Sequence, residues 1–565
     1  MTQTDNSAVA SHSNLTAARL AWVVLILATL YICYFHNLGA IGFVGPDEPR
    51  YAWIARDMVE TGDWVTPRLY GKPWFEKPVL YYWGAALSFR LFGVSEAAAR
   101  FPSALAALFA TLSIAWLGWR TCGAETARWL LLLLPTTVGM IGFSHAAAPD
   151  MPFAAMLTLA MVFAARLLGL VPRSSTSFTS STSFISFFFG FFLGLAVLAK
   201  GPAAIILAGG NILLWAAFTK RWRDTLRCLH PIAIASFCLT ALPWYILCAH
   251  RNPDFFRVFI IEHNFKRYLT PEFQHIQPFW FYVPVTLVAI FPWTILLIPV
   301  ARKFFEEDKR RTPEFALELF LVCSPAFALF FFSISKSKLP GYILPAIPPL
   351  VLLLTEYLAA AIRNNSKSQR WVILALAVCL AVMGFAFPAA SQRLPSYTDI
   401  RPAPEAMQLA VLAVLATAAI VLLGMLRRIR LALFTMIICL LLLIAKIDNF
   451  IAKIDPGLTA RAAPTEASRL SPDFALQNSS TWQLNRSLFY QLNFYAHSVM
   501  GEWKPGEPKP EWLFVEPKRE AEVRTFGYAC PQYIVFPAVV LCRLTPSVDR
   551  LSGSSYGNSG DRQPR

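Results

Sequence analysis

Residues 44–83 read VGPDEPRYAWIARDMVETGDWVTPRLYGKPWFEKPVLYYW, a charged and aromatic stretch set between apolar segments. Asp47 and Glu48 precede Pro49, an amphipathic run follows, and Gly62 closes it. A capping carboxylate, an early proline and a terminal glycine predict a short helix with Asp47 and Arg50 about one turn apart. Next, Lys72-Pro73-Trp74-Phe75-Glu76-Lys77-Pro78 brackets an acid and a base between prolines, which fix φ and hold Glu76 and Lys77 in place without a helix. Trp74, Phe75, Tyr81, Tyr82 and Trp83 are of the types that settle at a membrane surface. Two readings follow from the stretch alone: an active-site loop, or an interfacial hairpin with solvated charges.

Around it, the 565-residue chain is 56% hydrophobic with a mean hydropathy of +0.49, which indicates a polytopic membrane protein. The net charge of +16 would suggest nucleic acid in a soluble chain. Here most Lys and Arg fall in short loops between apolar runs, as cytoplasmic loops require, so no nucleic-acid partner is predicted. The ten cysteines show no CxxC or Cys/His metal spacing, and most lie in apolar runs as small hydrophobes. Cys530 and Cys542 are placed to pair if the tail lies outside the cell membrane. Residues 1–17 are polar and the next apolar run ends in Tyr34, Phe35 and His36, unlike a cleavable signal peptide.

Segments long and apolar enough for a bilayer fall near 18–36, 99–118, 126–143, 150–170, 183–198, 202–218, 228–249, 278–301, 314–334, 342–362, 371–388, 405–425 and 430–447, about thirteen in all. The run 79–94 contains Arg90 and reads as a helix along the interface. With the amino terminus inside, the inner connections hold Arg120, Arg173, the group from Lys220 to Arg227, the group from Arg302 to Arg311, Arg363, Lys367, Arg370, Arg427, Arg428 and Arg430. That is a consistent positive-inside pattern. The predicted fold class is an all-α polytopic membrane domain over 18–450, after a cytoplasmic tail at 1–17, with an outer loop over 37–98. Short apolar runs at Tyr533–Phe536 and Val539–Leu541 suit strands of a small outward α/β domain over 456–550, and 551–565 reads as a disordered tail. The Ser/Thr-rich stretch 173–183 reads as an inner flexible linker.

The outer connections collect the informative residues. In His145-Ala-Ala-Ala-Pro149-Asp150-Met151-Pro152, Asp150 repeats the Asp-x-Pro device of Asp47. Such a carboxylate either caps a helix or does chemistry. Lys200, in a turn with Gly201 and Pro202, either snorkels to headgroups or binds an anion. Glu262, His263, Lys266 and Arg267 follow in the next outer loop, where His263 is open as a metal ligand or a hydrogen-bonded interfacial residue. Ser335-Lys336-Ser337-Lys338-Leu339-Pro340-Gly341-Tyr342 adds cations, a bend and a phenol. Two carboxylates and the cations Arg50, Lys77, Lys200, Arg267 and Lys338 thus meet on one side, against the positive-inside bias. Cations at an oxygen-rich anion stabilise a phosphate leaving group, and a nearby carboxylate orients an acceptor or takes its proton. No Walker loop, HExxH or GxSxG motif accompanies them.

The motifs GPDEPRYAWIARDM, GKPWFEKPVLYYW, AAPDMPF, LAKGP and SKSKLPGYILPAIPPL, in that order, resemble the bacterial 4-amino-4-deoxy-L-arabinose transferases and the related protein O-mannosyltransferases, membrane glycosyltransferases of the C-type fold. The resemblance runs from the first span through the tenth. It implies an undecaprenyl-phosphate sugar donor, transfer on the periplasmic face of the inner membrane, lipid A as acceptor, and resistance to cationic peptides such as polymyxin. By the same resemblance Asp47 and Asp150 match catalytic acids, and Arg50, Glu76, Lys77, Lys200, Arg267, Lys338 and Tyr342 match positions that bind the lipid phosphate or shape its cavity. No cofactor is implied with certainty; a divalent metal stays open, with Glu76 and His263 as contributors. The alternatives are a related transferase acting on another glycan lipid or on protein, and a flippase or transporter. A transporter favours discontinuous helices and internal repeats with charges near the midplane.

Overall fold

A computed structural model describes residues 3–172, 181–270, 276–304, 313–363, 368–391, 403–471, 474–535 and 539–546. The chain forms two compact units, one of them being Ala40–Trp53 together with the chain from Phe450 onward. The predicted tail 551–565 and most of the serine- and threonine-rich stretch lie outside the described residues.

The first unit is a helical bundle. Among the described residues eight helices are long and apolar enough to cross a membrane, or ten if each of two bent pairs counts as one span. Three further predicted spans fall on shorter apolar helices, Arg19–Tyr34, Ala203–Thr219 and Val372–Gly384. The polar residues from Gln3 onward continue the first helix, which runs Gln3–Tyr34. The interfacial run is a helix, Leu80–Phe92, too short at 1.5 Å per residue to cross a bilayer core of about 30 Å.

Two segments expected as single spans are broken. Ala124–Leu133 and Val138–Ser144 meet at 61°, and Phe279–Ala289 and Trp293–Arg302 at 108°. Pro135 and Pro292 sit at the breaks, where a missing N–H and a ring clash end helices. The freed backbone groups are satisfied locally, as an apolar surrounding demands. Thr136 Oγ1 donates to Leu132 O and Leu133 O, and the Val138 N–H reaches Phe291 O at 3.1 Å. Trp293 Nε1 donates to Thr136 Oγ1 at 3.1 Å, so the two breaks brace each other.

The helix Thr182–Lys200 packs against Asp150–Leu167 on one side and Pro231–Arg251 on the other. A small-residue face makes the second contact close. A Cβ at Gly190 would lie 2.0 Å from Ala233 O, and one at Gly194 2.8 Å from Thr240 Cβ, so the GxxxG spacing lets the two backbones touch. At the opposite end of this group, Arg221 and Arg227 donate to Leu168 O and Leu167 O, closing the orphan carbonyls at the C-terminus of Asp150–Leu167.

The second unit contains a five-stranded mixed sheet. After a two-stranded ribbon in the first unit, β1 (Arg68–Leu69) with β2 (Lys72–Pro73), the strands are β3 (Ser479–Trp482), β4 (Gly501–Glu502), β5 (Trp512–Val515), β6 (Tyr528–Val535) and β7 (Val540–Pro546). Their order is β4-β3-β5-β7-β6, with β3 parallel to β4 and β5, and β7 antiparallel to β5 and β6. Alternation sends Trp512 and Phe514 to one buried face and Leu513 and Val515 to the other. Both faces are apolar, as a strand covered on two sides requires. Cys542 is disulfide-bonded, and the side chain of Cys530 lies outside the described residues.

In the first unit Asp63 anchors the outer loop after the helix Asp47–Thr61. Its carboxylate accepts from the Val65 and Thr66 N–H groups at 3.1 and 3.2 Å, from Arg68 at 2.9 Å and from Arg251 at 3.1 Å. Burial raises its pKa, but these donors outweigh it and hold the carboxyl below its ordinary value. A depressed folded pKa means that the stabilisation is complete above the ordinary carboxylate range and fades as pH falls through the lowered pKa. Asp63→Asn is expected to lower stability by about 2 kcal/mol at neutral pH. In detergent thermal melts the gap from wild type should close on acidification; a gap independent of pH would refute the assignment.

Candidate active site

The ribbon β1–β2 turns through Tyr70 and Gly71, with φ of 55° and 76°, the paired left-handed residues of a type I′ turn. The Trp74 N–H closes it on Pro67 O at 2.8 Å, and Phe75 is buried edge-on against Phe255 at 5.1 Å. This delivers Glu76 and Lys77, 3.7 Å apart, to the wall of a cavity of about 320 Å³. Lys200, His263, Tyr268, Ser335, Ser337 and Tyr342 supply its other polar groups, while Ile206, Phe259, Leu269, Phe331 and Phe332 make an apolar wall. A few converging polar groups on an apolar chamber are the usual make-up of a ligand site.

Asp150 and Lys200 form its firmest pair. Lys200 Nζ donates to Asp150 Oδ1 at 2.5 Å, with side chains 10% and 20% exposed. The ammonium also lies 4.4 Å from the Tyr342 ring centre and 5.4 Å from that of Phe153, within cation–π range. Lys200 therefore points to a carboxylate and two rings, not out to headgroups. Of the two roles open to Asp150, the cap is not formed. The residue before the helix is Pro149, no side chain caps it, and Asp150 is the first helical residue. An ammonium in poorly hydrated surroundings is a stronger partner than the backbone N–H groups a cap would satisfy. Gly341 is required beside them, because a Cβ there would lie 2.6 Å from Asp150 Oδ1 and 2.7 Å from a Phe143 ring carbon.

Lys338, expected at a phosphate, is not among the residues that line this cavity. It is buried and donates to Gln277 O at 3.1 Å and Ser335 O at 2.5 Å, next to the Ile276–Ser337 bridge. Burial and the neighbouring Lys336 pull its pKa below the usual lysine range. Its charge is spent on pinning the loop before Tyr342. The backbone of Arg267 lies in a short helix, Arg267–Leu269, and its side chain is outside the described residues. Phe259 and His263 reach the cavity from a π-helical stretch, Arg257–Lys266, a rare geometry that often marks functional segments. Glu76 and His263 line one cavity, but among the described residues no three His, Cys, Asp or Glu cluster as a metal site. Two donors fall short of the three a catalytic zinc takes from protein.

Asp47 and Arg50 belong to the second unit. Asp47 opens the helix Asp47–Thr61 and pairs with Arg50, while Glu48 accepts the Val44 N–H at 2.7 Å. The carboxylate that serves the backbone is thus Glu48, and half of the Asp47 side chain stays exposed. Tyr268, Ser335 and Ser337 were not singled out by the sequence; the bend at Pro340-Gly341 was the only signal near the last two.

Residues 20–259 match the family model for dolichyl-phosphate-mannose-protein mannosyltransferase. The crystal structure of ArnT from Cupriavidus metallidurans bound to undecaprenyl phosphate superposes with a TM-score of 0.73 at 23% identity, covering 92% of this chain and 98% of that one. The two share one fold. In sequence the chain is similar to the undecaprenyl phosphate-alpha-4-amino-4-deoxy-L-arabinose arabinosyl transferases of Edwardsiella ictaluri and Serratia proteamaculans. It is 32% identical to the first over 61% of each chain and 33% identical to the second over 62% of each. The matched part spans about three-fifths of the length of these curated relatives.

Gly341→Ala is expected to displace the Asp150 carboxylate and lower stability by about 2 kcal/mol. Combined with Asp150→Asn, the loss in a thermal melt should be smaller than the sum of the two, since both break one contact. Strict additivity would show that Gly341 acts elsewhere.

Proposed function

We propose that the chain transfers 4-amino-4-deoxy-L-arabinose from undecaprenyl phosphate to a phosphate of lipid A, on the periplasmic face of a bacterial inner membrane. The observation that carries the reading is the cavity of the first unit, whose lining combines the cations Lys77 and Lys200 with apolar and aromatic side chains. That is the amphiphilic shape of an isoprenoid phosphate. The named relatives and the solved fold support the same donor class.

The chemistry follows from charge. A lipid A phosphate oxygen attacks the anomeric carbon of the sugar, the bond from that carbon to the donor phosphate breaks, and undecaprenyl phosphate leaves with the electron pair. An acceptor phosphate is already anionic at neutral pH, so no base is demanded. The barrier lies in the growing negative charge on the leaving phosphate, which Lys200 and Lys77 stabilise. Asp150 and the Tyr342 ring hold Lys200 in place through the 2.5 Å and 4.4 Å contacts. Asp47, paired with Arg50 and half exposed, orients the acceptor and opposes charge at the sugar. For a hydroxyl acceptor the same carboxylate would serve as base.

The two bent helix pairs are a trait of transporters as well. The charges here nevertheless sit at helix ends, Asp150 at the start of its helix and Lys200 at the end of the one that follows, Thr182–Lys200. That arrangement favours an enzyme over a midplane substrate path.

Lipid A from a transferase-null Gram-negative host with an intact aminoarabinose donor pathway tests the reading by mass spectrometry. Wild type should add the aminoarabinose increment, and a well-expressed Asp47→Asn protein should add none. Lys77→Ala should raise the apparent KM for donor about tenfold, the cost of one charge-assisted contact. Unmodified lipid A despite good wild-type expression would exclude this acceptor or sugar.

A further inference from the structure

The stretch that carries Asp47 is held in the second unit by side chains from the far end of the sequence. The Gly42 N–H donates to Asp455 Oδ1 at 2.8 Å, and Thr459 Oγ1 donates to the same oxygen at 2.7 Å. The Phe43 N–H donates to Tyr495 Oη at 2.8 Å. The Phe43 ring is buried, edge-on to Phe494 at 4.8 Å and stacked on Tyr495 at 6.0 Å. A Cβ at Gly42 would lie 2.5 Å from Thr459 Oγ1 and 2.9 Å from Tyr495 Oη, so only glycine allows the backbone this close.

Three residues on, Glu48 accepts the Val44 N–H and Arg50 Nε donates to Pro46 O at 3.0 Å, fixing the turn into the helix. The Arg50 guanidinium is 4% exposed and lies 5.4 Å from the centre of the Tyr490 ring while it pairs with Asp47. Tyr490, Phe494 and Tyr495 share one helix, Arg486–Ala496, whose cap Asn485 accepts the Leu488 N–H at 3.0 Å. Asn485 is in turn gripped by Glu516, which accepts from its backbone and side-chain N–H groups at 2.8 and 3.1 Å. Burial raises the Glu516 pKa, but Lys518 and Asn485 outweigh it and keep the carboxyl below its ordinary value, so it is an anion at neutral pH.

We infer that Tyr490 and Tyr495 are positioning residues of the transfer reaction: the C-terminal segment aims the Asp47–Arg50 pair through a stacked ring and one phenol. A buried guanidinium needs both a counter-charge and a face to rest on. Tyr490 gives the nearer face, with the Tyr51 ring at 5.8 Å a second one, Asp47 gives the counter-charge, and Tyr495 fixes the loop that enters the helix. The carboxylate thereby has one defined direction. This rests on the reading of Asp47 given above, and the test separates the two.

The full-length chain in detergent carries the test, as wild type, Tyr495→Phe, Tyr490→Leu, Tyr490→Phe and Asp47→Asn. One readout is hydrogen–deuterium exchange of the peptide covering residues 40–53. The other is aminoarabinose transfer from undecaprenyl phosphate to lipid A, with kcat and donor KM resolved. Tyr495→Phe and Tyr490→Leu should each lower kcat about tenfold or more, while donor KM stays within about threefold. Tyr495→Phe should also speed exchange in 40–53 with Tm unchanged. Tyr490→Phe, which keeps the ring face, should recover at least about half of the rate lost in Tyr490→Leu. Wild-type kcat in Tyr495→Phe and Tyr490→Leu beside an inactive Asp47→Asn would overturn the proposal and leave Asp47 in its role. Rates that fall only with Tm, without faster exchange in 40–53, would overturn it too. An active Asp47→Asn would remove both readings.

Discussion

A lysine that ends an apolar helix cannot stay charged there without partners, and the first unit is built around giving Lys200 its partners. Desolvating an ammonium costs several kcal/mol, and removing one member of such a pair costs about 3–5 kcal/mol because the other charge is stranded. Asp150 answers at 2.5 Å and the Tyr342 ring at 4.4 Å. Each is brought by a different helix: one begins at Asp150, another ends at Lys200, and a 3-10 turn, Pro340–Ala346, presents Tyr342. The pair is only partly covered, with side chains 20% and 10% exposed. A second anion can therefore approach the ammonium from the cavity.

The surrounding devices serve that geometry. Gly190 and Gly194 let the Lys200 helix press against Pro231–Arg251, and Gly341 leaves room for the Asp150 carboxylate. Lys338 donates to two carbonyls, so that the loop before Tyr342 has one shape. The type I′ ribbon sets Glu76 and Lys77 on the wall of the same cavity. A polar end made of cations and hydroxyls on an apolar aromatic body is what an isoprenoid phosphate needs, the phosphate losing water only where fixed donors replace it.

Much of this was legible in the chain. The apolar runs gave the helices because span length and composition are one-dimensional properties, and the Asp-x-Pro, FEKP and SKSKLPGY stretches named Asp47, Glu76, Lys77, Asp150 and Tyr342. Other features were hidden for physical reasons. Pro135 and Pro292 lie inside runs of otherwise unbroken hydrophobicity, so the bends of 61° and 108° leave no hydropathy signal. Asp150 looked like a cap because local spacing cannot reveal a lysine fifty positions away that binds more strongly than a backbone N–H. One carbonyl partner of Lys338, Gln277 O, comes from a distant part of the chain, a tertiary contact that local spacing cannot show. Phe259 and His263 share a π-helical stretch, whose hydrogen-bond register has no compositional mark.

The most direct test of the account is the binding of undecaprenyl phosphate to the purified chain, followed by native mass spectrometry for wild type and Lys200→Met, with the neutral alcohol undecaprenol as reference. Lys200→Met keeps the length of the side chain and removes its charge. The account predicts that wild type prefers the phosphate to the alcohol and that Lys200→Met loses about tenfold or more of phosphate binding while binding the alcohol as before. Equal phosphate binding by wild type and Lys200→Met would contradict the claim that this cavity and its ammonium hold the donor.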